Sequence, residues 1–432
     1  MSDSPIRRPP PQPFATPGGA LGRWSRRCLA WLLSALLLHP GPTWALNDAQ
    51  ALVVDAWKLV NQSYVDPDQL ERIHWRQRRQ QTLEHAIESS SEAYDAIDAM
   101  LASIGDPYTR MLRPADFAAL RQSNEGTVSG VGLQLGLRHG DERVVVISPL
   151  DGSPAAEAQI TSGSEVLTVD RRSTTDLGLE RSASLLRGPA GSAVDIRLRE
   201  KSGMERDVRL IRRQVDLQPV RSRRWVEGSH ALGYLRITQF SEPVPSQVEQ
   251  ALMAFAQGGS ANDKPVEGLI LDLRNNSGGL VSAGLSVASD LLGDAPIVET
   301  RDRGGLSASQ RSSVERLFSG PMVTLVNGGT ASASEILAGA LQDNGRSELA
   351  GGKTFGKGLI QTLIPLGDGS GLAVTVAHYL TPAGHDIQSL GIQPDILLPE
   401  PEPLNPGGDD DPWLKAAERR LMELLGEREA RP

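Results

Sequence analysis

An apolar stretch, Val323-Thr-Leu-Val326, passes through the paired glycines of Asn327-Gly-Gly-Thr-Ala-Ser332 straight into an apolar-periodic helix. Few architectures accept that junction, because a buried-type strand that turns at once into a helix belongs to a layered α/β core. Two more buried-type strands, Leu232-Gly-Tyr-Leu-Arg-Ile237 and Gly268-Leu-Ile-Leu-Asp-Leu273, precede it, so residues 218–398 read as an α/β unit. The turn places Ser332 at a helix N-terminus, where free backbone N–H groups and the helix dipole favour a developing negative charge. A plainer reading stands beside this one: Thr330, Ser332 or Ser334 caps the helix, with Glu335, three residues after Ser332, completing a capping box.

The remaining chain has other textures. Leu52, Ala56, Leu59, Val60 and Tyr64 recur at helical spacing, as do Tyr94, Ile97, Leu101 and Ile104, so residues 46–118 are expected to be helical. Residues 119–217 turn to short β-rich runs such as Val144-Val-Val-Ile147, Val166-Leu-Thr-Val169 and Val194-Asp-Ile-Arg-Leu198, separated by Gly, Ser and Pro turns. After residue 398 a Pro- and Asp-rich stretch leads to a last helix opened by Pro412, with Leu414, Ala417, Leu421 and Leu424 on one side. The expected fold class is α+β and multidomain: an N-terminal helical region, an inserted β-rich module, an α/β core, and a linker with a C-terminal helix at 399–432.

Residues 1–45 are set apart. Arg7, Arg8, Arg23, Arg26 and Arg27 precede an apolar run from Cys28 to Leu38, and Thr43 and Ala45 stand three and one positions before a cut after residue 45. This is the pattern of a cleaved export signal, since the run falls short of the roughly 20 residues that span a bilayer. Its removal takes away the chain's one cysteine, five basic residues and one acidic residue, moving the formal charge from −9 to −13. No disulfide or thiol nucleophile is then possible, and so acidic a chain is a poor binder of nucleic acid. The seven histidines show no metal-ligand spacing and no glycine run has phosphate-loop order, so no metal or nucleotide cofactor is expected.

Lys357 lies between two glycines in Thr354-Phe-Gly-Lys-Gly358. A lysine withdrawn from water can be neutral and take a serine's proton, which makes Ser332 and Lys357 a candidate nucleophile and base without a histidine. Most lysines are solvated surface charges; the flanking glycines, which permit close backbone approach, set this one apart. Read as one strand, 357–361 puts Gln361 on the face of Lys357 but about 13 Å away between Cα atoms, so contact needs converging side chains or a bend at Gly358. Asn275-Asn-Ser-Gly-Gly279 offers a rival nucleophile, Ser277, in an echo of trypsin-like peptidases. None of His74, His85, His139 or His230 stands in a matching context, and the loop better suits backbone donation by Gly278. In Ser129-Gly-Val-Gly-Leu133, the residues Gly130, Val131, Gly132 and Leu133 begin a strand and offer backbone N–H groups to a peptide's terminal carboxylate. A glycine turn beside a strand more often only turns.

Together these stretches resemble the carboxyl-terminal processing peptidases, also called tail-specific peptidases. The likeness is carried in order by Asp106-Pro-Tyr-Thr109, the Gly-Val-Gly-Leu loop, Leu186-Arg-Gly-Pro-Ala-Gly191, Leu271-Asp-Leu-Arg-Asn-Asn-Ser-Gly-Gly279, Ser332-Ala-Ser-Glu-Ile336, Gln342-Asp343, Thr354-Phe-Gly-Lys-Gly358 with Gln361, and Gly391-Ile-Gln-Pro-Asp395. It implies Ser332 as nucleophile, Lys357 as general base, Gln361 as its orienter, the N–H groups of Gly278 and Ala333 as an oxyanion hole, and an acidic position near the site at Asp343, for which a supporting structural role is expected. It further implies an α/β core of the ClpP/crotonase type, a PDZ domain that takes the substrate's C-terminus, and protein substrates with free tails, membrane proteins among them. Monomer and homodimer both stay open.

Two departures bear on the PDZ likeness: Ser162-Gly-Ser-Glu-Val166 stands where Pro-Gly-Asp-Glu-Ile is usual, and Asp170-Arg-Arg-Ser173 lacks the usual glycine. The opening Ala56-Trp-Lys-Leu-Val-Asn-Gln-Ser-Tyr-Val-Asp66 resembles the cyanobacterial and chloroplast branch, whose thylakoid-lumen members trim the precursor tail of a photosystem II reaction-centre subunit. A periplasmic or thylakoid-lumen protein is therefore expected. The alternative is a non-catalytic exported PDZ scaffold, against which the complete Ser332, Lys357 and Gln361 set argues.

Overall fold

The computed structural model describes residues 46–430 apart from 138–142, 150–152, 162, 201, 217, 258–263, 306, 400–402 and 404–405; the expected export signal lies outside them. Its centre is a six-stranded sheet in the order Val220–Glu227, His230–Ile237, Gly268–Asp272, Met322–Val326, Glu348–Gly351, Ile396–Leu397. The first pair is antiparallel and the other four pairings are parallel. Strands Gly268–Asp272 and Met322–Val326 are buried along their whole length, which is why they read as unbroken apolar runs rather than alternating ones.

Successive residues of these strands serve opposite faces. Leu269 and Leu271 join Met322 and Val326 under the helices Val244–Gln257, Val281–Leu292 and Ala333–Asp343. Ile270, Val323 and Leu325 face the other way, onto Trp413, Leu414, Ala417, Leu421 and Leu425 of the helix Pro412–Glu429. The C-terminal helix is thus a full layer of an α/β/α sandwich, tied on by Asp411, whose side chain caps it by accepting from the N–H groups of Trp413 and Leu414.

A second sheet carries Arg110–Leu112, Gly371–Leu380, Ala295–Asp302 and Ser307–Ser312 in that order, with Leu359–Pro365 also paired to Gly371–Leu380. Helices Asp48–Ser63 and Ser90–Ala102 pack on it, sharing a core with Leu366, Leu372 and Val374. The second helix begins at a full capping box, Ser89 accepting from the Glu92 N–H and Glu92 from the Ser89 N–H. Strand Arg110–Leu112 comes from the segment expected to be helical, and through it the N-terminal region and the α/β core share a sheet.

The β-rich module is built on Leu133–Leu137, Val144–Pro149, Glu165–Val169, Ala193–Arg199 and Glu205–Ile211, with the helix Thr174–Leu186 across one side. A separate pair, Thr127–Gly130 with Arg213–Asp216, enters and leaves it. The stretch 129–133 does not begin a strand as expected: it ends one strand and bridges to the next, with Gly132 at φ 75° making the turn. The turn at 170–171 needs no glycine, since Asp170 and Arg171 themselves take left-handed conformations, φ 46° and 65°. The Asp170 carboxylate accepts from the Asp195 N–H and helps hold it there.

Candidate active site

Two loops at the C-terminal ends of adjacent parallel strands meet to form the site. Asn327 and Asn275 lock them together: the Asn327 Oδ1 accepts from the Asn275 N–H and its Nδ2 donates to the Asn275 Oδ1, each at 2.8 Å. The Ala331 N–H donates to the Asn276 carbonyl, and the Thr330 hydroxyl to the Leu273 carbonyl. The turn that follows forces Ser332 to φ 57°, ψ −119°, a conformation costly for any residue with a side chain.

Of the three hydroxyls that the sequence offers as a cap, that of Ser332 stands at the N-cap position and forms the expected capping box with Glu335. Thr330 is spent on Leu273 and Asn327, and Ser334 Oγ is buried with no partner among the described residues. Glu335 completes the box, its carboxylate accepting from the Ser332 N–H at 2.9 Å. The Ser332 hydroxyl thus stands at the start of the helix, on a residue 8% exposed.

The fully buried Glu335 does more than cap. Its two oxygens also accept from the Thr354 hydroxyl and from the N–H groups of Gly356 and Lys357, at 2.5, 2.7 and 2.9 Å. Four charge-assisted bonds to one carboxylate thus fix the loop bearing Lys357 against the turn bearing Ser332. Tyr379 repeats the stitch from the second sheet, its hydroxyl shared between the carbonyls of Ser332 and Lys357 at 3.0 and 2.5 Å. Burial, with Glu335 nearby, keeps that phenol protonated far beyond its ordinary range. The sequence points to Glu335 as the partner in a capping box but not as the link to the Lys357 loop, and it gives no sign of Tyr379.

Lys357 precedes the strand Leu359–Pro365 rather than lying on it, so the expected alternation with Gln361 does not apply. A bulge between Ile360 and Gln361 breaks the register as well, and Gln361 pairs with Thr375. The Gln361 Nε2 is buried with no acceptor among the described residues, an amide donor held in reserve. Burial, reinforced by the Arg110 charge, pushes the Lys357 amine below its ordinary value against the pull of Asp106 and Glu335. Its Nζ lies 4.9 Å from the ring centroid of Tyr108 rather than in a hydrogen bond with Ser332.

The two expected oxyanion donors differ. Ala333 is the first residue of its helix, so its N–H has no intrahelical acceptor. The Gly278 N–H is occupied, donating to Asn276 Oδ1 at 3.0 Å. Gly278 is nonetheless tightly set against the turn bearing Ser332: a Cβ there would meet the Ser332 Cβ at 2.8 Å and the Ala331 carbonyl at 2.9 Å, at φ 102°. Gly278→Ala, which must push that turn aside, is therefore expected to lower kcat/KM by about 100-fold or more in a steady-state peptide cleavage assay, the size of effect expected of an oxyanion donor.

Other expected residues lie elsewhere. Asp343 closes the far end of the Ser332 helix, about 16 Å away by helical rise, where it accepts from the Ala383 N–H. Its expected place near Ser332 is thereby corrected, while the supporting structural role expected of it corresponds to its hold on the turn at 381–385. Ser277 is exposed on the neighbouring loop, and the one upstream histidine of the core sheet, His230, is paired with Glu267 instead.

Gly130, Val131, Gly132 and Leu133 line a cleft of about 670 Å³ together with Leu186 and Arg187. Buried Arg212 fixes that wall by donating to the carbonyls of Leu185 and Leu186 at the end of their helix. Arg110–Leu112 also line this cleft, in direct continuation of the segment that carries Tyr108.

Residues 231–398 match Peptidase family S41. The chain is 41% identical over 409 residues to a carboxyl-terminal-processing protease of Picosynechococcus, covering 93% of this chain and 96% of the relative. It is 38% identical over 377 residues to the chloroplastic C-terminal processing peptidase of Tetradesmus obliquus, covering 84% and 80% respectively. A solved structure titled photosystem II D1 C-terminal processing protease superposes with TM-score 0.62 at 38% identity, over 83% of this chain and 95% of that one. Fold and likeness together define a serine-type peptidase. The chain belongs to the carboxyl-terminal-processing proteases of Peptidase family S41, in their cyanobacterial and chloroplast branch.

Proposed function

We propose that Ser332 is the nucleophile and Lys357 the general base of this C-terminal processing peptidase. The observation that carries the reading is the double stitch of Glu335 and Tyr379, which fixes the Ser332 turn and a desolvated lysine on two loops of one buried frame. Ser332 Oγ attacks the scissile carbonyl as its proton passes to the neutral Lys357 Nζ. The Ala333 N–H, and the Gly278 N–H once Asn276 Oδ1 yields, take the oxyanion. Collapse breaks the C–N bond, the Lys357 proton leaves with the new amine, and water then cleaves the acyl-enzyme with the lysine as base again. Gln361, with its spare amide donor, orients the site beside the amine.

Residues 119–217 act in this proposal as a PDZ domain inserted between the helical region, 46–118, and the catalytic core, 218–398, whose arrangement is of the ClpP/crotonase type. The cleft at 130–133 receives the substrate's C-terminal carboxylate. Proteins with free tails are the substrates, and a precursor of the D1 subunit of photosystem II is the favoured one, by likeness to the solved D1-processing relative. The protein acts after export, in the thylakoid lumen or periplasm; among the described residues no helix is long and apolar enough to cross a membrane.

Mass spectrometry of a tailed precursor incubated with wild type, Ser332→Ala and Ser277→Ala tests the assignment. A defined C-terminal fragment is expected from wild type and Ser277→Ala only; a fragment that depends on Ser277 overturns it. Because the base must be neutral, kcat/KM is expected to rise with pH through the lowered lysine value and to level off above it. A pH–rate profile flat from pH 6 to 10 would remove Lys357 from the role.

A further inference from the structure

We propose that Tyr108 is a positioning residue for Lys357, its ring face holding the ammonium form of the base away from Ser332. The inference rests on the Ser332 and Lys357 reading above and goes beyond it by naming what governs the charge of the amine. Three observations support it. The Lys357 Nζ sits 4.9 Å from the Tyr108 centroid, within the range in which a ring quadrupole attracts a cation. The ring cannot drift, because its loop is pinned to the second sheet. Asp106 accepts from the Tyr108 N–H, the Thr109 hydroxyl and the Thr375 hydroxyl at 2.9, 2.7 and 2.7 Å, and Thr109 Oγ1 accepts from the Thr375 N–H. Thr375 is the register partner of Gln361, so the pin lies directly across the strand from the other side chain assigned to the amine.

The charges around the amine leave the ring a decisive share. Arg110, on the strand that follows Tyr108, repels the ammonium; Asp106 on its loop and Glu335 on the Ser332 helix attract it; burial opposes it. Asp106 and Glu335 are each committed to several hydrogen bonds in these positions. The half-buried Tyr108 ring is then the group that stabilises the charged amine through its face, without accepting its proton.

The test uses the full-length exported protein with Tyr108→Leu, Tyr108→Gln and Tyr108→Phe. The first readout is independent of catalysis: acetic anhydride labelling of Lys357 against pH, by peptide mass spectrometry in a Ser332→Ala background, with exposed Lys353 of the same loop as internal reference. Loss of the ring is expected to move the Lys357 labelling limb about 0.5 to 1.5 pH units lower, whereas Tyr108→Phe keeps it in place. In the catalytically intact background, cleavage at a pH below the limb is expected to rise about 3- to 30-fold for the same two non-aromatic variants. A labelling limb unmoved in whichever of these folds, or moved equally by Tyr108→Phe, overturns the proposal. A labelling limb that moves while the rate limb does not leaves Tyr108 in its role and overturns Lys357 as base.

Discussion

Ser332→Ala is expected to lower kcat by at least about 10⁴-fold, leaving only what the oxyanion donors and substrate binding supply, with the thermal midpoint lowered by no more than a few degrees. The fold survives because the Glu335 half of the capping box bonds the backbone N–H of residue 332 and is kept, while the hydroxyl's own half is worth about 1 kcal/mol. Ser332→Gly separates catalysis from strain. Glycine at an N-cap is ordinarily tolerated better than alanine, by less than about 1 kcal/mol. At φ 57°, ψ −119° the gap is expected to widen, with the glycine variant about 1–3 kcal/mol more stable than the alanine variant by chemical denaturation, since a Cβ there stores about that much strain. A glycine variant less stable than the alanine one would show that the turn is unstrained.

Arg274→Met should be the most destabilising single change in the core. The guanidinium is 1% exposed and bonds both Asp272 and Asp411, through Nε and Nη2 to Asp272 at 2.9 and 2.5 Å and through Nη1 and Nη2 to Asp411 at 3.1 and 2.6 Å. Its loss strands two buried carboxylates, only one of which keeps another cation among the described residues, Arg236 at 2.9 Å from Asp272. Breaking such a buried network costs about 3–5 kcal/mol, read as a lowered denaturation midpoint. A loss below about 1 kcal/mol would contradict the argument. Activity should fall as well, because Arg274 opens the loop that ends in Gly278 and Asp411 opens the helix layered under the sheet.

The same network sets an acid limit. Burial alone would raise both carboxyls, yet Arg236 and Arg274 hold Asp272, and Arg274 with the Gly407 N–H holds Asp411, below the ordinary carboxylate value. The unfolded chain therefore binds more protons than the folded one. The stabilisation is complete above the ordinary value, near pH 4, and is lost as pH falls through the depressed folded values. Arg274→Met is expected to flatten that acid dependence.

Legibility in the sequence varied with the range of the interaction. The strand, turn and helix around Ser332 and the run 268–273 could be read because local periodicity reports burial on one or both faces, and the Ser332 and Lys357 motifs because glycines at fixed offsets mark tight backbone. The alternation of Lys357 with Gln361 along one strand does not hold, since Lys357 precedes the strand and the bulge, set by the partner strand Gly371–Leu380, leaves no mark on 357–361 itself. Asp343 was misplaced because its distance from Ser332 depends on how far the helix runs before it ends.

What the sequence determined by itself was the order of textures, the buried strands of the core, and which serine and lysine stand in special backbone. Short-range physics is enough for that, since propensity, periodicity and glycine placement act within a few residues. Only the tertiary structure decided that Glu335 and Tyr379 join the two loops, that Tyr108, more than 200 positions upstream, lies over the Lys357 amine, and that Asp411 reaches Arg274 from the C-terminal layer. Those contacts join residues far apart in the chain, and their strength comes from exclusion of water, which no local window of sequence records.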